Sequence, residues 1–400
     1  MTVLVADRIA QVGIDALTDA GYTVHEAPSL TGEALIEALR AEAPDVLIVR
    51  STRVTPEALD ASPALSLIVR AGAGYDTIDV DGAAARGIFV ANCPGKNADA
   101  VAELTMGLLL AVDRRIPDNV ADARAGQWNK KAYAQADGLK GRTLGILGLG
   151  NIGTEVARRA KAFDMEVVAW SRSLTPKAAK ERGIWHGTSP EAVAADADAV
   201  TVHVASTPET EHLADRDFFA AMQPGATFIN TSRAAVVDEE ALAWALEERD
   251  VRAAVDVVQG EPAAKEGPLD HPLADHPRLY LTHHIGASTQ QAQDATALEA
   301  VRVVRTFDEE GDVPNCVNLA AKSRATHQLT VRHRDQVGVL AGVLDEMRRA
   351  RWNIQEMSNR IFAGGEAAVA SIRFTGPFDD EIVDTIEAQD DVFAVSVNEL

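Results

Sequence analysis

Short apolar runs alternate with amphipathic helical stretches along residues 1 to 283. The runs are continuous, which is typical of strands that are buried on both faces of a sheet. A first series comprises residues 3–6, 46–49, 67–69 and 89–91, and a second comprises residues 143–149, 166–170, 199–203, 226–229, 253–257 and 279–282. Because strands that alternate with helices form parallel sheets covered on both sides, the pattern predicts two doubly wound α/β units.

Long helical stretches at residues 98–116 and 288–310 flank the second series. Two shorter helices are marked by their first residues, since Thr175 precedes Pro176 and Ser189 precedes Pro190. A hydroxyl residue followed by proline is the pattern of an N-cap and a first helical position. We therefore expect helices to begin at both places.

The pattern changes after Pro314. Residues 326–333, 366–374 and 392–397 favour strands, and residues 337–350 and 379–388 favour helices. The order of these three strands and two helices is that of a β-α-β-β-α-β unit of the ferredoxin-like type in which one strand is left unassigned.

The second series opens with the sequence GILGLGNIG at residues 145–153. An apolar strand ends there in Gly148, Gly150 and Gly153, and an amphipathic helix is predicted over residues 154–163. In this context the glycines allow the backbone to approach a pyrophosphate at the helix N-terminus. The segment therefore indicates a dinucleotide site, although a plain strand-to-helix turn has the same glycines.

The strand at residues 166–170 is followed by Ser171 and Arg172. An NAD enzyme usually has an aspartate or glutamate at this point, which binds the ribose hydroxyls. An arginine without a carboxylate suits the 2′-phosphate of NADP, but it is also common on a surface. The cofactor is accordingly predicted to be NAD or NADP.

Three further motifs supply an arginine, a glutamate and a histidine: NTSR at residues 230–233, DVVQGEP at residues 256–262 and HHIGAS at residues 283–288. Histidine exchanges protons near neutral pH, and a neighbouring glutamate raises its pKa and fixes its tautomer. Arginine offers a charged, planar partner to a carboxylate. Together they indicate the transfer of a hydride and a proton on a 2-hydroxy acid.

The chain has 400 residues and a formal net charge of −22, from 60 acidic and 38 basic residues. This length suggests two or three domains, and so acidic a surface repels nucleic acid and anionic membranes. Cys93 and Cys316 are too few for a disulfide framework, and the N-terminus lacks the features of a signal peptide. We expect a soluble, cytoplasmic protein that has a small-molecule substrate.

A metal site is not expected. His271, His276, His283 and His284 lie close in sequence, but their spacing lacks a helical HxxxH pattern or a cysteine partner.

The motifs resemble those of the D-isomer-specific 2-hydroxyacid dehydrogenase family, and the similarity extends along the chain. The segments IVRSTRVT (48–55), VRAGAGYDTID (69–79) and NCPGKNADAVAE (92–103) are similar to the substrate loops of that family. Two positions depart from its pattern: Ala234 replaces a glycine, and His283 replaces the proline before the catalytic histidine. The register of residues 285–288 assigns the catalytic role to His284.

The resemblance implies that Arg233 binds the substrate, that Glu261 is the partner carboxylate and that His284 is the acid/base. It implies that Asp256 contacts the nicotinamide carboxamide, and that Arg50 and Arg70 meet a substrate phosphate in those members whose substrate carries one. The implied cofactor residues are Gly148, Gly150, Asn151, Ile152, Gly153, Ser171, Arg172, Thr231, Ser232, Asp256, Gly286 and Ala287. The implied substrate residues are Arg50, Ser51, Arg70, Gly72 and Arg233.

The family's architecture implies a substrate domain of residues 1–103 and 284–316 and a Rossmann cofactor domain of residues 104–283. Residues 326–400 resemble an ACT domain, a module that in this family binds serine where two such domains meet. His333, Asp335 and Asn353 stand where serine ligands occur, although Val337 and Asp335 replace a proline and an asparagine. A purely oligomerising role is the alternative, and a homodimer or homotetramer is expected.

Two other functions stay open at this stage. A glyoxylate or hydroxypyruvate reductase would carry the same motifs, and Arg172 would suit its use of NADPH. Some relatives of this fold are dinucleotide-sensing corepressors, which bind partners instead of catalysing a reaction.

Overall fold

Three β-sheets organise the part of the chain that the computed structural model describes, namely residues 1–28, 30–262, 267–320 and 322–400. The sheets belong to two compact units, Met1–Asn318 and Leu319–Leu400. The first unit contains two parallel sheets, and the second contains one antiparallel sheet. The prediction of parallel α/β sheets is therefore confirmed.

The first sheet has the strand order β2-β1-β3-β4-β5. Its strands are β1 (Thr2–Val5), β2 (Thr23–Glu26), β3 (Val46–Val49), β4 (Leu67–Arg70) and β5 (Phe89–Asn92), with helices α1 (Gln11–Asp19), α2 (Glu33–Glu42), α3 (Pro56–Leu59) and α4 (Val80–Ala85) between them. Alternate residues of each strand enter different cores, so that Leu4 and Leu47 pack on one face and Val3 and Val46 on the other. Sequence analysis does not place β2, because its partly exposed residues lack a continuous apolar run.

Two helices, α5 (Ala98–Arg114) and α6 (Ile116–Arg124), follow the first sheet. One helix is predicted over residues 98–116, but Arg115 has a left-handed backbone conformation, with φ of 51°. This residue ends α5 and starts α6. Helix α5 packs against the second sheet, whereas α6 has no buried residue.

The second sheet has the strand order β12-β11-β10-β9-β6-β7-β8. Its strands are β6 (Thr143–Leu147), β7 (Glu166–Trp170), β8 (Trp185–His186), β9 (Ala199–Val202), β10 (Thr227–Asn230), β11 (Arg252–Val255) and β12 (Leu279–Leu281). Its helices are α7 (Asn151–Ala162), α8 (Pro176–Glu181), α9 (Pro190–Asp196), α10 (Arg216–Ala221) and α11 (Glu239–Glu248). Thr175 and Ser189 cap α8 and α9 through their hydroxyl oxygens, as predicted.

Helix α12 (Gln290–Glu310) returns the chain to the first sheet. It packs against α1 so closely that a Cβ atom at Gly13 would lie 2.8 Å from the Cβ of Ala297. This contact therefore joins α1, which follows the first strand of the chain, to α12, which comes after the last strand of the second sheet. None of the helices in the described ranges is long and apolar enough to cross a membrane.

The second unit contains β13 (His327–Arg334), α13 (Val339–Arg349), β14 (Asn353–Ile361), β15 (Ala367–Thr375), α14 (Asp380–Glu387) and β16 (Val392–Glu399). The β-α-β-β-α-β order is the one predicted, with β14 as the strand that the sequence pattern does not place, and the antiparallel strands have the order β14-β15-β13-β16. Leu329, Val331, Ile372 and Phe374 form the core of the sheet together with Val343 of α13. Strand β14 is exposed along its whole length.

Candidate active site

The glycine turn after β6 has the shape that a dinucleotide cradle requires. Gly148 has φ of +96°, and a Cβ atom there would lie 2.5 Å from the carbonyl oxygen of His203. A Cβ atom at Gly153, in the first turn of α7, would lie 2.0 Å from the carbonyl oxygen of Gly148. Of the three glycines of the turn, only Gly150 has open space, since no heavy atom lies within 4 Å of a Cβ position there. Close contacts within the chain therefore require glycine at positions 148 and 153, whereas Gly150 leaves room for a bound group at the start of α7.

Asn151 and Ile152 form the first turn of α7, beside this open space. Ser171 and Arg172 follow β7, and the last residue of that strand is joined to the turn because the carbonyl of Trp170 accepts the Gly148 N–H at 2.8 Å. Arg172 is exposed. These residues therefore share one end of the second sheet, and neither position after β7 bears a carboxylate.

His284 is held in an unusual backbone conformation, with φ of 50°. Its main-chain N–H donates to the carbonyl of Asp256 at 2.9 Å, and its Nδ1 lies 2.8 Å from Oε2 of Glu261. The hydrogen bond that the ring donates to the Glu261 carboxylate raises the pKa of His284 against the opposing effect of burial. The ring is therefore paired at Nδ1, and Nε2 is the nitrogen left to meet a ligand.

The side chain of Asp256 builds the turn that carries His284. This aspartate is only 2% exposed, and its Oδ1 accepts the Thr282 hydroxyl at 2.6 Å and the Ile285 N–H at 2.9 Å. Its Oδ2 accepts the Gly286 N–H at 2.8 Å. Both carboxylate oxygens are thus bonded to the segment 282–286. The expected contact with a nicotinamide stays a prediction, whereas the contacts within the chain assign Asp256 to shaping the turn.

Glu261 lies on the loop that follows β11. Burial opposes the ionisation of its carboxyl group, but the His284 hydrogen bond and charge outweigh burial and lower the pKa of Glu261. The Val258 N–H also donates to its Oε1, at 3.3 Å. The next residues, 263–266, lie outside the described part of the chain.

Two residues that sequence analysis does not assign to the site hold this loop. Oε1 of Glu239, at the start of α11, accepts the Gln259 N–H at 2.7 Å, and its Oε2 lies 3.0 Å from Nε2 of His271. Within the described ranges, no group of three or more possible ligands could hold a metal ion. His271 is thus a partner of a carboxylate that fixes the loop of Glu261.

Arg233 follows β10 in a loop that Asn230 folds. The side-chain oxygen of Asn230 accepts the Ser232 N–H at 2.9 Å, and its amide group donates to the Arg233 carbonyl at 3.0 Å. The Arg233 guanidinium donates from Nε to Asp76 at 3.1 Å and from Nη1 to the Ser232 carbonyl at 2.8 Å. Thr231 and Ser232 are buried, and Thr231 contacts Thr105 of α5. Asp76 lies within the motif of residues 69–79, but the sequence analysis assigns it no role.

All of the predicted catalytic and substrate residues except Arg233 line one cavity of about 980 Å³, namely Arg50, Ser51, Arg70, Gly72, Glu261 and His284. Two predicted cofactor residues, Asp256 and Ala287, also line it, as does His283. Gly286 is buried beside it, since a Cβ atom there would lie 3.2 Å from Oδ2 of Asp256. The glycine turn, Ser171 and Arg172 do not line this cavity.

Positive charge converges on the cavity. Burial lowers the pKa of Arg70 to about 10, and the neighbouring charges of Arg233 and Arg50 contribute to the lowering. Nε of Arg70 is buried without a hydrogen-bond partner among the described residues. Three guanidinium groups this close together repel one another, so the arrangement favours binding of an anion.

The three predicted effector residues do not meet within the second unit. His333 is buried, with its ring nitrogens at 2.8 Å from the Arg334 carbonyl and 3.2 Å from the Asn359 side chain. Asp335 follows β13, and Asn353 is the exposed first residue of β14. The register places His333 level with Ile361, so Asn353 lies at the other end of β14, roughly 25 Å away at the usual strand rise. A single copy cannot bring all three to one ligand.

Known proteins share the sequence and fold of most of this chain. Residues 106–286 match the family described as D-isomer specific 2-hydroxyacid dehydrogenase, NAD binding domain. The chain is 30% identical to a solved glyoxylate reductase from Paecilomyes thermophila, with a TM-score of 0.70, and covers 98% of that chain with 79% of its own. It belongs to the D-isomer-specific 2-hydroxyacid dehydrogenase family.

Within that family, the chain is 37% identical over 319 residues to the D-3-phosphoglycerate dehydrogenase of Methanocaldococcus jannaschii. The match covers 79% of this chain and 59% of that relative, so the chain spans about three fifths of the relative's length. The solved structure of the TT0316 protein from Thermus thermophilus is 34% identical, with a TM-score of 0.71, and is covered completely by 79% of this chain.

The charged pair at the centre of the site has a testable pH dependence. The pKa of His284 is raised, so its stabilising effect is complete below the ordinary histidine value of 6.5 and is lost as the pH rises through the raised value. The lowered pKa of Glu261 acts in the opposite sense, and its effect is lost as the pH falls below the ordinary value of 4.5. The pair is therefore fully formed between these two values.

We predict that Glu261→Gln lowers the pKa of His284, because a neutral amide cannot stabilise the imidazolium as a carboxylate does. The measurement is an NMR titration of isotope-labelled histidine side chains in both proteins. The His284 signal is identified by its absence in His284→Ala. The same titration midpoint with and without the Glu261 carboxylate would contradict the assignment.

Proposed function

We propose that the protein is a D-3-phosphoglycerate dehydrogenase, which oxidises 3-phosphoglycerate to 3-phosphohydroxypyruvate with NAD(P)⁺ at the entry to L-serine synthesis. The observation that carries this proposal is that the His284–Glu261 pair, Arg50 and Arg70 line one cavity, with the Arg233 guanidinium close enough to lower the pKa of Arg70. A phosphorylated 2-hydroxy acid has two anionic groups and one exchangeable hydroxyl proton. The site offers a partner for each of them.

The carboxylate of the substrate is assigned to Arg233, whose planar guanidinium can form two parallel hydrogen bonds. The same group polarises the 2-oxygen. Ion pairing with Asp76 and donation to the Ser232 carbonyl fix the Arg233 side chain before substrate arrives. The phosphate is assigned to Arg50 and Arg70, because both line the cavity and the buried Nε of Arg70 has no hydrogen-bond partner among the described residues.

Proton transfer is assigned to Nε2 of His284. During oxidation the neutral ring accepts the hydroxyl proton, and Glu261 stabilises the imidazolium that forms. During reduction the imidazolium returns that proton to the 2-oxygen. Because Glu261 raises the pKa of His284, the protonated ring required for reduction persists at higher pH than an isolated histidine would allow.

A nicotinamide dinucleotide, when bound, accepts or supplies the hydride at the substrate's second carbon. The residues proposed to hold it are the glycine turn, Asn151 and Ile152 at the start of α7, Thr231 and Ser232 after β10, and Gly286 and Ala287, of which Ala287 lines the cavity. The open space at Gly150 fits the close approach of a pyrophosphate. The matched family segment, described as an NAD binding domain, supports the use of NAD(P).

The domain arrangement follows the same proposal. Residues 1–103 with 284–316 would form the substrate domain, and residues 104–283 the cofactor domain. The contact between α1 and α12 supports this division, because it returns the end of the first unit to the first sheet.

The C-terminal unit is proposed to be an ACT-like module that pairs with a second copy. Its β-α-β-β-α-β order supports the assignment, and β14 is a nine-residue edge strand exposed along its length. Because His333 of β13 is level with the far end of β14 and Asn353 is the first residue of β14, a serine site that uses both needs residues from two chains. Helix α6 further supports a homodimer or homotetramer, since Ile116 and Val120 are exposed there.

Glyoxylate or hydroxypyruvate reduction is the alternative function. The likeness to a glyoxylate reductase favours it, as does the exposed Arg172 where a carboxylate would select NAD. A corepressor-like binding protein would need neither the His284–Glu261 pair nor the arginine cluster.

The first test is turnover of 3-phosphohydroxypyruvate, hydroxypyruvate and glyoxylate by the purified protein. We expect preference for the phosphorylated acid, and we expect His284→Ala and Arg233→Ala each to lower kcat/KM by roughly 10²- to 10⁴-fold. His283→Ala is the matched control and should have a mild effect, because His283 lacks the Glu261 contact. Preference for glyoxylate would favour the reductase, and equal damage at both histidines would exclude the assigned register.

The cofactor prediction rests on Arg172. We expect NADPH to be accepted at least as well as NADH, and Arg172→Ala to raise KM for NADPH alone, because the side chain can pair with the 2′-phosphate. The comparison is of initial rates with each cofactor. A strong NADH preference that the substitution leaves unchanged would mean that Arg172 is an ordinary surface residue.

The effector prediction is that L-serine binds and inhibits only when two C-terminal units are paired. Inhibition requires different affinity for two states of the enzyme. Calorimetry of L-serine on the full chain, with Asn353→Ala as the variant, should show binding that this substitution removes. Absence of binding at millimolar serine, together with a smaller oligomer after deletion of residues 326–400, would leave assembly as the module's role.

A further inference from the structure

A buried aspartate in the first sheet stands directly behind the substrate loop. Asp7 follows β1 and is 5% exposed. Its Oδ2 accepts three consecutive main-chain N–H groups of the loop after β3, from Arg50 at 2.7 Å, Ser51 at 2.9 Å and Thr52 at 2.8 Å. Its Oδ1 accepts the Ser51 hydroxyl at 3.0 Å. One carboxylate therefore fixes three successive residues of the loop.

Three successive N–H groups that point at one oxygen form an anion-binding concavity. In this loop the concavity is filled by the protein's own carboxylate, so the backbone is not available to bind a substrate anion. The guanidinium of Arg50 is what the loop can offer instead. Because Asp7 binds the backbone of residues 50–52, the Arg50 side chain is the part of the loop that is left to bind the substrate.

The carboxyl group of Asp7 is ionised in this buried position. Burial would raise the pKa of its carboxyl group, but hydrogen bonds from Arg50, Thr52 and Ser51 outweigh burial and lower it. Asp7 also lines the cavity together with Arg50, Ser51 and Arg70. An ionised side chain with four protein hydrogen bonds is a fixed part of the cavity wall.

We propose that Asp7 is a positioning residue for substrate binding, which acts by holding the Arg50–Ser51 backbone so that the Arg50 side chain faces the substrate. The identity of that substrate as a phosphorylated acid rests on the proposed function. The positioning itself rests on the hydrogen bonds of the loop. Both oxygens of Asp7 are engaged in hydrogen bonds from this loop.

The variants are chosen to separate positioning from folding. Asp7→Asn keeps the size of the side chain and removes its charge, and Asp7→Ala removes every acceptor. Asp45→Asn is the matched control, because the Asp45 carboxylate also accepts a strand N–H, that of Thr2 at 2.7 Å, but does not line the cavity.

We expect Asp7→Asn to raise KM for 3-phosphohydroxypyruvate by roughly tenfold, the scale of a lost charged hydrogen bond. The value of kcat should stay within about threefold, since the groups that exchange hydride and proton are untouched. Asp7→Ala should raise KM further, and Asp45→Asn should leave KM unchanged. A fall in kcat with constant KM, or equal effects of Asp7→Asn and Asp45→Asn, would overturn the proposal.

The decisive comparison is made in a second background. If Asp7 acts through Arg50, then Asp7→Asn should change KM by less than about twofold once Arg50→Ala is present, because coupled residues are not additive. Full additivity would overturn the proposal. The cycle is measured with whichever 2-oxo acid the wild-type protein reduces, so rejection of the phosphorylated acid contradicts the proposed function without deciding the role of Asp7.

Amide hydrogen exchange supplies a readout that needs no turnover. The N–H groups of residues 50–52 should exchange slowly in the wild-type protein and much faster in Asp7→Ala, with no change at residues 2–5. Unchanged protection of residues 50–52 would overturn the proposal even if the protein reduced none of the acids.

Discussion

The carboxylate of Asp256 accepts three hydrogen bonds from the segment 282–286, and the position of His284 depends on them. A residue other than glycine in the left-handed region costs about 1 to 3 kcal/mol, so His284 keeps its φ of 50° only because its neighbours impose it. The Asp256 carbonyl binds the N–H of His284 itself. The distance of 2.8 Å from Nδ1 to Glu261 follows from this turn.

Other loops of the site are held in the same way, by a short polar side chain that accepts main-chain hydrogen bonds. The carboxyl ends of parallel strands meet at one edge of a sheet, where ligands bind in α/β proteins. A short polar side chain stands at three such ends: Asp7 after β1, Asn230 at the end of β10 and Asp256 after β11. Each accepts N–H groups from a loop that carries a guanidinium or an imidazole. Short buried side chains thus position the long side chains of Arg50, Arg233 and His284.

Sequence reasoning finds the residues whose motif is local and misses those whose partner is distant. The glycine turn, Arg233, Glu261 and His284 each lie in a recognisable short motif. Asp7 is 43 to 45 residues from the loop it holds, and Asp76 is 157 residues from Arg233. No periodicity reports such contacts. The glutamate that fixes the Glu261 loop, Glu239, looks like an ordinary first residue of a helix.

Three strands escape sequence reasoning for a related reason. Strand β2 is partly exposed and mixes polar with apolar residues, and β14 is exposed throughout, so neither shows the apolar run of a buried strand. Strand β8 has only two residues, too few to form a run. The separation of His333 from Asn353 is also invisible in sequence, because it depends on the register of β13, β14 and β15.

The most direct test of the account is the effect of Asp256→Asn on kcat and on the dissociation constant of the dinucleotide, measured separately. An asparagine amide group would face the Gly286 N–H or the Ile285 N–H, so one hydrogen bond of the turn would be replaced by a clash of two donors. We expect kcat to fall by roughly 10²-fold or more, as for a displaced acid/base, and by a much larger factor than the one by which the dinucleotide's dissociation constant rises. A protein that kept its kcat, or that lost only dinucleotide affinity, would contradict the claim that Asp256 positions His284.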